Sequence, residues 1–101
     1  MSAVLHVVLV RWRPDSDDEA RNGVRAGVRG LAGVVPGIRA LEEGPSVSPE
    51  GLEQGNDYGF VVTFDDAAAR DAYLPHPEHR QVADAIGRTA AQVTVFDVAA
   101  G

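Results

Sequence analysis

The chain contains no cysteine and no lysine, and it has no long hydrophobic run. Without cysteine it cannot form a disulfide framework, a thiolate metal site or a cysteine nucleophile. No apolar stretch reaches the ~18 residues that a membrane-spanning helix needs, and residues 1–12 lack the basic start and the small-residue cleavage site of a secretion signal. We therefore expect a soluble cytoplasmic protein.

Positive charge is also scarce, because nine arginines face 15 acidic residues and the formal net charge is −6. A nucleic-acid-binding protein needs a basic face to neutralise phosphates, and this balance does not supply one. With 45% hydrophobic and 24% charged residues, residues 1–101 have the composition of one small globular domain. A single copy of this size buries only about 60–68% of the unfolded chain's surface, so pairing with a second copy would add stability.

Hydrophobic periodicity predicts the order strand, helix, strand, strand, broken helix, strand. Ser16 and Glu19 have the spacing of a capping box before the first helix. Gly44 and Pro45 indicate that the second strand is an edge or bulged strand. The predicted strands cover residues 3–12, 38–46, 57–64 and 92–98, and the predicted helices cover 17–33, a segment from Asp65 or Asp66 to Leu74, and 77–90.

This element order is that of the ferredoxin-like split βαβ fold, an α+β fold with a four-stranded antiparallel sheet and helices on one face. The first strand, however, has apolar residues on both faces, and the helices can cover only one of them. An uncovered apolar face of a few hundred Å² is unusual on a soluble monomer. We therefore expect a homodimer in which two sheets pack face to face and form a barrel that holds side chains and a pocket.

Histidine and tyrosine are the candidates for proton transfer, since cysteine and lysine are absent. Pro75 interrupts the second helix, and Pro77 suits a new helical start capped by His76. His79 then lies in the first turn, where the helix dipole disfavours the imidazolium and leaves a neutral general base. Alternatively, His79 packs the kink between the helices. Tyr73 either directs its hydroxyl inward or fills space.

His6 lies in the middle of the first strand, where a histidine is either a hydrogen-bonded core residue or part of a site. His76 and His79 are three residues apart, but Pro77 lies between them and no third ligand is placed nearby, so we expect no metal. The chain has no phosphate-binding glycine motif and no serine nucleophile elbow. We expect no cofactor.

Several segments together resemble the stress-responsive A/B barrel domain (Dabb) family. The resemblance spans residues 4–98. The strongest segment contains Tyr73, His76, Pro77 and His79, and it is supported by the first-strand His6. The other matching segments are Val34–Ile38, Gly44, Val47–Pro49, Val62–Phe64 and the late pair Phe96–Asp97.

The resemblance implies a dimeric α+β barrel. It also implies an activity, because olivetolic acid cyclase, a plant relative, closes a linear tetraketide by aldol condensation. Its catalytic tyrosine and histidine resemble Tyr73 and His79, and its first-strand histidine resembles His6. A third-strand histidine of the cyclase is Tyr58 in this chain, which is a departure from that pattern. We expect a ligand to contact Trp12, Tyr58, Phe60, Phe64 and His76.

Three hypotheses on function follow. The first is a barrel that binds a hydrophobic, oxygenated small molecule and catalyses proton transfer or polyketide cyclisation with His6, Tyr73 and His79. The second is a stress-associated structural or self-assembling protein in which the same residues brace the dimer. The third is a monooxygenase that needs no cofactor. A cavity that touches His6 and His79 favours the first hypothesis, and a filled interior favours the second.

Overall fold

The computed structural model describes residues 2–100 and confirms the element order and the fold class that the sequence predicts. The four strands form one antiparallel sheet with the order β2-β3-β1-β4. This is the strand order and direction of the ferredoxin-like fold. The elements are β1 (Val4–Trp12), α1 (Asp18–Leu31), β2 (Ile38–Gly44), β3 (Tyr58–Phe64), α2 (Ala67–Tyr73), α3 (Pro77–Thr89) and β4 (Ala90–Ala99).

The start of α1 differs from the prediction. The capping residue is Asp17, whose carboxylate accepts a hydrogen bond from the backbone N–H of Ala20 at 2.8 Å. Ser16 instead donates to the carbonyl of Arg13 at 2.6 Å, so the predicted capping box from Ser16 to Glu19 is wrong. An aspartate one position later is an equally good cap, and its negative charge is favoured at the positive end of the helix dipole.

The two later helices begin where the sequence predicts. Asp66 caps α2 by accepting from the N–H of Ala69, and His76 caps α3 by accepting from the N–H of Glu78. Between α1 and β2 the chain passes close to α2, at Gly37. This residue has a φ of +88°, and an added Cβ would lie 2.7 Å from the Cβ of Ala69. Only glycine fits at this turn without displacing α2.

The sheet edges differ in length from the predicted strands. β2 stops at Gly44, two residues earlier than expected, and β4 begins at Ala90, two residues earlier than expected. A register shift between Ile38 and Ala40 confirms that β2 is a bulged edge strand. β4 forms the other edge.

The helices cover only one face of the sheet, as the ferredoxin-like fold predicts. Under the helices, the sheet residues Val10, Val62 and Phe64 are completely buried and contact a core that includes Val28 and Leu31 of α1. The opposite face, here called the bare face, carries a row of apolar side chains. These are Leu5, Val7 and Leu9 of β1, Val61 of β3, and Phe96 and Val98 of β4.

β4 is the least protected strand of the sheet. Every residue from Ala91 to Ala99 is exposed in a single copy. On the bare face, Phe96 is 68% exposed; on the helix side, Val93 and Val95 are 43% and 55% exposed. An exposed apolar edge strand of ten residues is a surface that soluble proteins normally cover.

Candidate functional site

Three side chains that the sequence singles out, His6, Tyr73 and His79, lie together beneath the helices. His6 is on the helix-covered face of β1 and is 5% exposed. Tyr73 is the last residue of α2 and is 1% exposed. The short break after α2 places His79, in the first turn of α3, against the Tyr73 ring.

The three rings contact one another in a row. The ring centres of Tyr73 and His79 are 4.1 Å apart, with an angle of 41° between the planes. His6 meets Tyr73 edge to face, with ring centres 5.8 Å apart, and Phe64 lies 4.9 Å from the Tyr73 ring. Tyr73 is therefore the centre of the cluster. Its hydroxyl makes no hydrogen bond to any residue from 2 to 100, and burial raises its pKa.

The hydrogen bond of His79 determines which of its nitrogens can act as a base. Nδ1 lies 2.8 Å from the carbonyl oxygen of Leu74. Because a carbonyl can only accept, Nδ1 carries the hydrogen, and in the neutral ring Nε2 carries the lone pair. Burial lowers the pKa of His79 below 6.5, against the opposing effect of the hydrogen bond to the Leu74 carbonyl, and electrostatic repulsion from the nearby His6 and His76 rings lowers it further. A neutral imidazole with a free nitrogen is a competent general base.

The lowered pKa of His79 predicts a loss of stability in acid. Between the folded pKa and the ordinary value of 6.5, the unfolded chain binds more protons at this histidine than the folded chain does, so stability falls as the pH falls through that window. Denaturant unfolding at about pH 7 and about pH 5.5 measures the effect. We expect the free energy of unfolding to fall more in the unaltered protein than in His79→Asn, whose amide can still donate to Leu74. Parallel losses in the two proteins would contradict the assignment.

His6 is held by a carboxylate on the neighbouring strand. The register of β1 and β4 places Asp97 directly opposite His6, and the Asp97 Oδ1 lies 2.7 Å from the His6 Nδ1. The other oxygen of Asp97 accepts a hydrogen bond from Nη1 of Arg70 on α2. Burial acts to raise the pKa of Asp97, but the hydrogen bonds from Arg70 and His6 outweigh it, and the pKa lies below its ordinary value. Asp97 is therefore an ionised partner for His6.

Arg70 was not among the residues that the sequence singles out, and Asp97 entered only through the family resemblance. His6 and Asp97 are 91 positions apart, so no local spacing connects them. The pairing register between the first and last strands is the signal that could have identified the partner of His6. Pairing His6 with each acidic residue of the last strand leads directly to Asp97, which is the only acidic residue between 90 and 99.

The structure places the aromatic ligand contacts that the sequence predicts on the helix-covered face. The side chains of Trp12, Tyr58, Phe60 and Phe64 are all buried on this face, which also carries His6, whereas a chamber between two sheets requires the opposite face. Both faces of β1 are apolar, so the alternation alone does not tell which face the helices cover. His76, the fifth expected contact, caps α3, with its Nδ1 3.1 Å from the N–H of Glu78.

Trp12 and Tyr58 form a second aromatic cluster beneath α1. Their rings stack with centres 5.2 Å apart and planes 20° apart. The Arg25 guanidinium lies 5.8 Å from the Tyr58 ring centre and donates to Glu43 at 2.9 Å, and Arg29 donates to the same carboxylate. Burial and the nearby Glu43 carboxylate both raise the pKa of Tyr58. The cluster holds α1 on the sheet.

A large open groove lies elsewhere, between the bare face and the segment from Pro45 to Asn56. Its volume is about 800 Å³, and its lining includes Val7, Leu9 and Val61 of the sheet, together with parts of Tyr58 and Phe60, two of the predicted ligand contacts. His6, Tyr73 and His79 are not part of this lining. The groove and the histidine cluster are therefore separate features on opposite faces of the sheet.

Residues 2–100 contain neither a group of metal ligands nor a membrane-spanning helix. No three histidine, cysteine, aspartate or glutamate side chains in this range are grouped so that they could hold a metal ion. In the same range, no helix is sufficiently long and apolar to cross a membrane.

Comparison with solved structures places the fold among known proteins. A dimeric ferredoxin-like protein of unknown function from Jannaschia sp. CCS1 is 27% identical, with a TM-score of 0.85 over 95% of this chain and 97% of that chain. A protein from Arabidopsis thaliana is 28% identical, with a TM-score of 0.87 over 97% of this chain and 95% of its own. Two further dimeric ferredoxin-like proteins, from Bacteroides fragilis and Thermobifida fusca, also share the fold.

A hydroxynitrile lyase from Passiflora edulis has a TM-score of 0.90 over 99% of this chain and 94% of that chain, but it is only 17% identical and so shows the shared fold alone. No curated protein matches the chain. The model of one protein family, described as the stress responsive A/B barrel domain, matches residues 4–100. This match includes every residue of the histidine and tyrosine cluster. The chain belongs to the stress responsive A/B barrel domain (Dabb) family.

Proposed function

We propose that this protein binds a hydrophobic, oxygenated small molecule beside His79 and Tyr73 and moves a proton on it. One observation carries the proposal: a half-buried histidine with a lowered pKa directs Nδ1–H to a backbone carbonyl and touches the ring of a buried tyrosine. A base and a hydrogen-bond donor in contact, with an apolar wall that includes Phe64, suit proton removal from a carbon acid.

In the proposed reaction, His79 Nε2 takes a proton from the carbon between two carbonyls of the substrate. The electron pair of the C–H bond moves into an enolate, and the Tyr73 hydroxyl donates a hydrogen bond to the enolate oxygen. Because burial raises the pKa of Tyr73, the hydroxyl keeps its proton and serves as a donor. The enolate carbon then attacks a third carbonyl, further along the same molecule. His79 returns the proton to the new alkoxide, which completes an aldol closure without a cofactor.

The resemblance to a polyketide cyclase at Tyr73, His79 and His6 supports this class of reaction. The direct test is to incubate the purified protein with a linear tetraketide thioester and to follow ring formation by liquid chromatography and mass spectrometry. We expect the linear thioester to disappear faster than in buffer, with formation of a cyclic product. A rate equal to that of buffer, together with no binding of the thioester by calorimetry, would contradict the proposal.

A second function is favoured by the tight packing of the same cluster. Tyr73 and His6 are 1% and 5% exposed, and the large groove does not touch them. These residues then brace α2 and α3 against the sheet in a structural, stress-associated protein. This function predicts that His79→Ala lowers the melting temperature by several degrees while no thioester is bound or converted.

We propose further that the protein is a homodimer that covers its bare face and β4. The exposed apolar side chains of Leu9, Phe96 and Val98 support this assembly, as does the dimeric state of similar proteins from Jannaschia sp. CCS1 and Thermobifida fusca. Sedimentation at micromolar concentration is expected to give the mass of two copies. The mass of a single copy would contradict the dimer.

A further inference from the structure

The hydrogen bonds around Asp97 connect α2 to β1 through β4. The carboxylate has two oxygens, and each has a different partner: Oδ1 faces Nδ1 of His6, and Oδ2 accepts from Nη1 of Arg70. The Arg70 side chain is 24% exposed and also donates from Nε to Asp71 at 2.9 Å. Two aspartates therefore fix the plane of the guanidinium, and the guanidinium fixes one oxygen of Asp97.

Asp97 has little else to hold it in place. It lies on the exposed edge strand β4 between Phe96 and Val98, which are 68% and 45% exposed. In a single copy its own side chain is 24% exposed and therefore has room to turn away from His6. The bond from Arg70 opposes that rotation, because it requires Oδ2 to point toward α2 and so leaves Oδ1 directed at His6.

We propose that Arg70 is a positioning residue of the site: through Asp97 it keeps a hydrogen on Nδ1 of His6, so that Nε2 is the nitrogen that can carry the lone pair. The proposal rests on the proposed function, since it gives the site a second imidazole nitrogen of defined state beside Tyr73. His6 and Tyr73 meet edge to face with ring centres 5.8 Å apart. His6 Nε2 makes no hydrogen bond to residues 2–100, so it is available to a substrate or a water molecule.

The test is the tautomer of His6, measured by long-range ¹H–¹⁵N correlation spectra at a pH where histidines are neutral. The unaltered protein is expected to show a single tautomer with the hydrogen on Nδ1. Arg70→Gln is expected to show a mixture of both tautomers, and Arg70→Lys, which keeps a charged donor, is expected to stay close to the unaltered spectrum. Arg39→Gln is the matched control, because it removes an exposed ion pair with Asp65 that includes neither Asp97 nor His6.

Asp97→Asn gives a sharper result because an amide has one acceptor and one donor end. If Arg70 holds the oxygen, the amide NH₂ group faces His6 Nδ1, which must then accept, and the hydrogen moves to Nε2. The double variant Arg70→Gln, Asp97→Asn is expected to lose this preference and to show both tautomers, since the amide is free to turn. Backbone amide spectra check that each variant is folded.

Three results would overturn the proposal. They are a single Nδ1–H tautomer in Arg70→Gln, no tautomer change in Asp97→Asn, or a hydrogen on Nε2 in the unaltered protein. A merely structural link between α2 and β4 would lower the melting temperature without changing the tautomer. The measurement needs no substrate, so its outcome is separate from that of the thioester assay.

Discussion

Phe96→Glu is expected to separate the proposed dimer into single copies at micromolar concentration. In one copy Phe96 is 68% exposed, so a glutamate there stays hydrated and the subunit should still fold. In the dimer the same position is covered by the second sheet, where the change removes an aromatic contact and buries a charge, at a cost of about 2 kcal/mol or more. Because the two-fold axis places the substitution on both subunits, the cost to the dimer doubles to about 4 kcal/mol. This corresponds to roughly 1,000-fold weaker association.

The control for this experiment is Val34→Glu. Val34 is 53% exposed in the turn between α1 and β2, so the same chemical change is made away from the bare face. This variant is expected to sediment like the unaltered protein. If Phe96→Glu also sediments as a dimer with unchanged affinity, the bare face and β4 are not the interface.

His79→Asn is expected to slow conversion of the tetraketide thioester by about 10²–10⁴-fold, the usual contribution of a positioned general base. The asparagine amide can replace Nδ1–H as a donor to the Leu74 carbonyl, but it has no basic nitrogen in the place of Nε2. We therefore expect the melting temperature to change little while the rate falls. Initial rates at saturating thioester, together with thermal unfolding, measure both effects.

Glu78→Gln serves as the matched control, because this exposed residue lies in the same first turn of α3. Its rate is expected to equal that of the unaltered protein. Full activity in His79→Asn would remove the histidine from the chemistry. A large fall in melting temperature without any activity to lose would instead favour the bracing function.

Much of the fold could be predicted from the sequence, because alternation is a direct signature of a half-buried strand. Tyr58, Phe60, Val62 and Phe64 alternate along β3, which predicts that they share a face, and all four are buried together under the helices. The caps at Asp66 and His76 also follow from residue type and the nearby Pro77. The first cap could not be predicted, since Ser16 and Asp17 are both good caps and only the local backbone decides between them.

The location of the site was harder to predict than its members. His6, Tyr73 and His79 lie together, but under the helices and away from the bare face. In β1 both faces are apolar, so the pattern of Leu5, Val7 and Leu9 is as suitable for a helix-covered face as that of the opposite set. Only packing against the helices decides which face is covered.

Contacts between residues that are far apart in the sequence could not be predicted either. The bond between His6 and Asp97 depends on strand register across the whole chain, and the bond to Arg70 depends in addition on how α2 lies over the sheet. A helical arginine and a strand aspartate 27 positions apart have no local pattern in common.

The central claim is that His79 is a neutral base whose Nε2 carries the lone pair. A long-range ¹H–¹⁵N spectrum of the unaltered protein at neutral pH tests this most directly, with His79→Asn used to assign the resonances. We predict a neutral ring with its hydrogen on Nδ1, in agreement with the bond to the Leu74 carbonyl. An imidazolium at that pH, or a neutral ring with its hydrogen on Nε2, would contradict the account.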